Sequence, residues 1–289
     1  MNDVSCGLCP GGCILSEGQC GFCGARANAG GKIECINYEY ITSIALDPVE
    51  KKPLNRYKSG SFVLSAGSFG CNFRCPFCQN HDISMARPRN VSELNTFIKE
   101  QNIGRMSKEE LALKAQAYIP AGNIGIAFTY NEPLTGFEFV YDTALYFKAH
   151  KMDTVLVSNG CINPEYFNKL VPYIDAMNID LKTFNPEIYQ KYSGIKNALS
   201  IVKNNISYAA SRCHVELTCL IIPGENDSEA EMEQMCTWIA SVSPEIPLHI
   251  TRFFPRYKYA DRTPTPPETL RRLRGIALSH LKYVYLGNI

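Results

Sequence analysis

Residues 61–80 read SFVLSAGSFGCNFRCPFCQN. The first seven, SFVLSAG, form a short apolar run of the kind that makes a buried strand. Directly after it come Cys71, Cys75 and Cys78 in a C-x3-C-x2-C spacing, with Phe77 just before the last thiol. A structural zinc site takes four ligands, usually as two CxxC-like pairs. No fourth Cys or His follows here at finger spacing, and His81 would have to fold straight back onto its own loop. A [4Fe–4S] cluster normally takes four thiolates. Three leave one iron open, and an open metal position is where a substrate or cofactor binds. A metal-free, reduced Cys-rich loop is the plain alternative, but compact triplets are seldom accidental.

The same run starts a regular pattern. Further strand candidates are 123–129, 153–158, 176–180, 214–221, 247–253 and 282–286, with helical stretches near 107–119, 136–150, 164–171, 186–210, 228–241 and 266–280. Ser107 with Glu110, and Ser228 with Glu231, have capping-box spacing. Pro266 and Pro267 suit a helix start. Strand and helix alternate about six times, which implies a parallel sheet with right-handed connections. The expected fold is α/β, a partial (β/α)6 TIM-like barrel over residues 59–289. Residues 1–58 precede it as a Cys-rich segment (1–35) and a connector containing EKKPL.

Composition bounds the function. The chain has 289 residues, 45% hydrophobic, with a formal net charge of +1. No global or local basic field invites nucleic acid or an anionic membrane. No apolar run approaches the roughly 18 residues of a membrane span, and no signal-type apolar region opens the chain. A cytoplasmic protein is expected. There are 13 cysteines, eight of them in two tight groups. In a reducing compartment such clusters bind metal more often than they form disulfides.

If the cysteine triplet marks the C-terminal face of a barrel, the other strand ends should carry polar groups. Strand 123–129 leads into Asn131 and Glu132, strand 153–158 into Ser158 and Asn159, and strand 176–180 into Asp180 and Lys182. Alternation puts His214, Glu216 and Thr218 on one face of strand 214–221. Strand 247–253 carries His249, Thr251 and Arg252. Each alone could be a cap or a turn former. A polar group after every strand is harder to assign to local structure, and buried charge such as Glu216 or Asp180 is costly unless paired or used.

The N-terminal CGLCPGGCILSEGQCGFCGAR places Cys6, Cys9, Cys13, Cys20 and Cys23 within one short segment. So small a piece cannot bury enough apolar surface to fold alone, so a metal-organised knuckle is expected. Zinc and an auxiliary Fe–S cluster both suit thiolates. A metal-free lid is the plain alternative.

C-x3-C-x-aromatic-C resembles the signature of the radical S-adenosylmethionine (SAM) enzymes. The resemblance implies a [4Fe–4S] cluster on Cys71, Cys75 and Cys78 whose open iron chelates SAM. The reduced cluster cleaves SAM to a 5′-deoxyadenosyl radical that abstracts hydrogen from a substrate. It also implies roles for single residues. Glu132 is similar to the glutamate that meets the SAM amino group, and Asn159, beside Ser158, to a residue near the ribose or methionine. Asp180 and Lys182 resemble the DxK pair of glycyl-radical-enzyme activases, and His249 their SAM-contacting histidine. Glu216 joins the expected cofactor contacts, and IIPGEND (221–227) resembles a loop bordering adenine.

The N-terminal C-x-L-C-P pattern, LDPVEKKPL (46–54), FTYNEP (128–133), MNIDLK (177–182) and PLHITRFFPRYK (247–258) are similar to the AmmeMemoRadiSam-system radical SAM enzyme over nearly the whole chain. Cys20 departs from that pattern, which leaves Cys6, Cys9, Cys13 and Cys23 as the expected second metal site. Many such proteins continue past LGNI into a further Cys-containing tail, whose role is expected to be missing. The implied partners are SAM, an unidentified substrate, a reductant such as flavodoxin or ferredoxin, and Memo-like and Ammecr-like proteins. A glycyl-radical-enzyme activase similar to the pyruvate formate-lyase activating enzyme is the alternative within this chemistry. A non-catalytic zinc- or iron-binding protein is the alternative outside it.

Overall fold

The computed structural model of the chain describes residues 3–289. Its main sheet has eight strands. They are β1 (Ser43–Pro48), β2 (Phe62–Gly67), β3 (Asn123–Phe128), β4 (Asp153–Ser158), β5 (Ala176–Asp180), β6 (His214–Ile221), β7 (Leu248–Arg252) and β8 (Val284–Gly287). They lie side by side in chain order, β2 to β8 parallel and β1 antiparallel against β2. Helices α1 (Lys108–Ala117), α2 (Phe137–Ala149), α3 (Pro164–Leu170), α4 (Pro186–Ser193), α5 (Ala198–Ala210), α6 (Glu229–Val242) and α7 (Pro267–Leu278) connect the parallel strands. Among the described residues the order ends at β1 and β8 without closing, so the barrel is partial.

Local signals behave as their chemistry demands, with informative exceptions. The Ser107 hydroxyl accepts from Glu110 N–H, and the Glu110 carboxylate accepts from Ser107 N–H at 2.7 Å, completing the capping box of α1. Ser228 caps α6 in the same way. Glu231 does not complete that box; its carboxylate accepts instead from the Thr183 hydroxyl and from Phe184 N–H, fastening the loop after β5. The stretch 186–210 is two helices rather than one. Gly194 ends α4 in the left-handed conformation at φ 73°, which only glycine adopts without strain. Residues 43–48, read from sequence as connector, form the edge strand β1.

Period-two alternation divides the strands between helix layer and barrel interior. Inward-facing Val63, Ala127, Val155 and Ala176 enclose Val49 and Leu54 of the β1–β2 loop, so this loop plugs the N-terminal end. The plug is fastened by polar groups as well. Glu216, fully buried on β6, accepts from the N–H groups of Asn55 (3.0 Å) and Arg56 (2.7 Å), while Asn178 on β5 donates to Pro53 O. The Glu216 carboxylate also accepts from His214 Nε2 (2.8 Å) and His249 Nε2 (2.6 Å), and His249 stacks on Tyr285. Further up the strands, Val157, Asp180, Thr218 and Thr251 are only half-buried, and there the barrel opens.

Burial pushes Glu216 up, but hydrogen bonds from both histidines and the Arg56 amide outweigh it and hold the carboxyl at about 2. A depressed carboxyl stabilises the fold above its ordinary value of 4.5, and that contribution is lost as pH falls toward 2. Replacing Glu216 with Gln is expected to cost about 3 kcal/mol at neutral pH. Urea unfolding of the apoprotein should show the gap between wild type and variant closing as pH falls below about 4.5. An equal gap at pH 2 and pH 7 would contradict this account.

Candidate active site

The loop 68–80 leaves the C-terminal end of β2 and is fixed on every side. Asn131, just past β3, accepts from Ser68 N–H and donates to the carbonyls of Phe69 and Gly70. Phe73 meets Tyr189 edge-on, and Phe77 meets Tyr192 edge-on at 4.9 Å, with Tyr259 beyond. Lys258 N–H donates to Pro76 O and Arg74 N–H to Tyr192 O. Below Phe77, Glu225 collects the hydroxyls of Tyr192 and Tyr259 together with Lys191 and Arg262. Sequence reasoning missed this hub, since its members are scattered over seventy residues and share no motif.

The three thiols of the loop lie close enough to feel one another's charge. Burial pushes each of them up, Cys75 to about 11, and mutual repulsion adds to it. A metal cation removes that cost by taking the thiolate form. Among the described residues no three His, Cys, Asp or Glu side chains converge closely enough to grip one ion. Three thiolates fit a cubane, in which each takes a different iron, better than a zinc site that wants four ligands. His81 is engaged elsewhere, its ring stacked on Tyr257 at 4.5 Å and its Nδ1 3.2 Å from Cys78 O.

Glu132, Ser158 and Asn159 come together beside this loop, as supports. The buried Glu132 carboxylate accepts from the Ser158 hydroxyl (2.7 Å), Asn159 N–H (2.7 Å) and Leu134 N–H (3.1 Å). Burial pushes it up to about 7 against those hydrogen bonds. Ser158 also accepts from Gly160 N–H. Asn159 donates to Asn72 Oδ1 at 2.8 Å, with its Nδ2 4.0 Å from Cys71 Sγ. The Glu132 and Ser158 side chains are both engaged in the turn after β4.

Asp180 and Lys182 stand differently. They pair at 2.8 Å at the open mouth, and the charge of Lys182 reaches both Cys75 and Cys78. Asn226 of the IIPGEND loop donates to Lys182 O and Leu220 O and so ties the loop after β6 to this pair. Glu216 and His249 are not brought here. They lie lower in the barrel, and Glu216 has all its acceptor sites filled by the plug and the two histidines. His249 turns its Nε2 to that carboxylate.

A second thiol group adjoins the first. Cys6, Cys9, Cys13 and Cys23 line one cavity of about 210 Å³, while Cys20 lies outside it. The Cys23 carbonyl accepts from Cys71 N–H at 3.0 Å. Contact this close requires Gly70, whose φ is +90° and whose added Cβ would stand 2.5 Å from that carbonyl oxygen.

A partial parallel barrel with a three-thiol loop at the C-terminal end of its first parallel strand defines a class of enzyme. The chain belongs to the radical SAM superfamily, whose family profile matches residues 67–236. It is similar to an uncharacterized protein of Methanocaldococcus jannaschii, 38% identical over 291 residues that span this whole chain and 82% of that protein. It is also similar to the 4-hydroxyphenylacetate decarboxylase activating enzyme of Clostridioides difficile, at 26% identity over 77% of this chain and 68% of that enzyme. Among solved structures, SuiB of Streptococcus suis superposes with a TM-score of 0.57 at 11% identity, covering 77% of this chain and 48% of SuiB, which is a likeness of fold. The protein is thus a SAM-dependent enzyme of the class that works with a [4Fe–4S] cluster. No helix among the described residues is long and apolar enough to cross a membrane.

The Gly70 contact makes a sharp test. Gly70→Ala combines a left-handed backbone with a clash against a carbonyl, and should cost on the order of 2 kcal/mol. Iron bound per chain after anaerobic reconstitution is expected to fall well below wild type. Full iron loading with unchanged thermal stability would show that the two cysteine segments do not depend on this approach.

Proposed function

We propose that Cys71, Cys75 and Cys78 hold the [4Fe–4S] cluster and that Asp180, Lys182 and Asn159 line the SAM site beside it. The observation that carries this reading is the clamped loop, whose three thiols share the barrel mouth with the Asp180–Lys182 pair. When bound, the cluster supplies the electron that splits SAM into methionine and a 5′-deoxyadenosyl radical, which takes hydrogen from the substrate. The chain's own residues do the rest. Lys182 and Asp180 present one donor and one acceptor to the polar parts of SAM. Asn159, held through Asn72, sets the position of the Cys71 segment. Glu132 and Ser158 fix Asn159 in turn. The plug and its Glu216 knot keep water from reaching the site from below.

The finer assignment we propose is the AmmeMemoRadiSam-system radical SAM enzyme, acting in the cytoplasm with Memo-like and Ammecr-like proteins and a flavodoxin- or ferredoxin-type reductant. The motifs spread over residues 6–258 support it. Residues 1–58 form the Cys-rich segment and connector, with Cys6, Cys9, Cys13 and Cys23 as a second metal site for zinc or iron–sulfur. Residues 59–289 form the core, to which the connector lends β1. A second reading, a glycyl-radical-enzyme activase, is favoured by the likeness to an activating enzyme over most of the core.

Anaerobically reconstituted, dithionite-reduced protein is expected to convert SAM to 5′-deoxyadenosine and methionine. Ala at Cys71, Cys75 or Cys78 should abolish this. Lys182→Met should weaken SAM binding about tenfold, equivalent to about 1.4 kcal/mol, with iron content unchanged. A Lys182 variant that binds SAM as tightly as wild type would remove this pair from the site. Co-expression with a glycyl-radical partner, followed by EPR for the glycine doublet, separates the activase reading from the first.

A further inference from the structure

We infer that Cys6, Cys9, Cys13 and Cys23 bind a second [4Fe–4S] cluster, with every iron held by protein, and that it relays single electrons to the centre at Cys71, Cys75 and Cys78. The relay rests on the reading of that centre given above; the second cluster does not.

The four thiols face one space. They line a cavity of about 210 Å³, and among the described residues no three metal-ligating side chains converge on one ion. A zinc ion needs four donors, each about 2.3 Å away. A cubane needs a pocket, with one thiolate for each iron, and these four thiols line one. The wall away from the thiols is apolar, made by Leu134, Ile162 and Ile195 of the barrel. Cys161 also reaches the cavity from the barrel side, where Asn72 and Asn159 fix its backbone.

An independent feature points to an anionic occupant. Arg26 lines the cavity with its side chain buried, 6% of the residue being exposed. One guanidinium nitrogen is bound to Glu138, but Nε is buried with no hydrogen-bond partner. An unsatisfied buried donor costs about 1–3 kcal/mol. A cluster with four thiolates carries net negative charge and offers sulfur acceptors, so it answers the orphaned N–H.

The segment is built to hold such a group next to the active centre. Cys6 N–H donates to Cys13 O at 2.8 Å, and Asn163 ties Gly7 and Leu8 to the barrel. From Cys23 to Cys71 the path runs through each residue's own bonds and the single 3.0 Å hydrogen bond between them. On the outer side Gly11 and Gly12 are exposed and Phe22 is 44% exposed, which gives a donor protein a surface to approach. The step moves one electron and makes or breaks no bond. A low-potential one-electron donor of the flavodoxin or ferredoxin class is oxidised, the second cluster goes from 2+ to 1+, and it returns to 2+ as the first is reduced.

The test uses full-length protein. A variant with Ala at Cys71, Cys75 and Cys78, reconstituted with iron and sulfide, is expected to keep about four iron and four sulfide per chain. After dithionite reduction it should give a [4Fe–4S]1+ EPR signal that SAM leaves unchanged. One zinc per chain, or no iron, would overturn the assignment. Cys161→Ala in the same background should retain the full iron content, and loss of the cluster there would overturn the ligand set. For the relay, Cys6→Ala/Cys13→Ala in the otherwise native chain should keep one cluster whose EPR signal shifts on adding SAM. If that shift is missing while the second cluster is present in the triple variant, the reading of the active centre has failed and the second cluster stands. With both clusters reduced, the wild-type spectrum should show spin coupling and differ from the sum of the two single-cluster spectra. A strictly additive spectrum overturns the relay.

Discussion

One hydrogen bond, from Cys71 N–H to the Cys23 carbonyl, joins the two parts of this protein where their chemistry lies. It forms only because Gly70 has no side chain and tolerates a positive φ. The N-terminal segment is too short and too polar to fold alone, so its position is inherited from the barrel. The active loop gains in return. Without that segment the Cys71 amide would lose its partner, and the cavity beside Asn72 would open to water. The two groups of thiols therefore behave as one assembly. Its rigidity comes from backbone contacts, and the cysteines stay free thiols.

The barrel is asymmetric along its axis, and that asymmetry makes room for chemistry. At the N-terminal end the β1–β2 loop drops Val49 and Leu54 among the inward-facing side chains, and Glu216 binds the amides of Asn55 and Arg56. The carboxylate is fully satisfied there, its donors being two amides and two imidazoles. At the C-terminal end the same inward-facing rows carry Asp180, Thr218 and Thr251, half-buried and facing open space. A parallel sheet sends all its strand ends the same way, so closing one end concentrates what remains reactive at the other.

Much of this was legible in the sequence for definite reasons. SFVLSAG followed at once by three cysteines placed the loop on a strand end, and alternation of strand and helix gave the parallel sheet. Cys20 was set apart from the other four N-terminal thiols, and it lies outside their cavity. The limits are equally physical. Strand β1 pairs antiparallel through its backbone, which leaves no periodic mark in SIALDP. Gly194 divides 186–210 because the φ it adopts is set by tertiary packing. Period-two alternation tells which face Glu216 and His249 take, but not how far up the barrel they stand. Arg26 and Asn72 were silent because their partners lie far away in sequence.

The placement of Glu132 shows how a motif residue is held by the strand ends around it. Its carboxylate joins the ends of β3 and β4: Leu134 on one side, Ser158 and Asn159 on the other. Asn159 then holds Asn72, and Asn72 follows Cys71 directly. A donor set of this kind, fixed before any ligand arrives, costs no reorganisation when charge changes at the metal. Burial works against the carboxylate's charge, so the hub persists only because three donors share it. A buried network of this sort is stable when every member is satisfied and costly when one is removed. Through these bonds the acid belongs to the frame that sets where Cys71 sits.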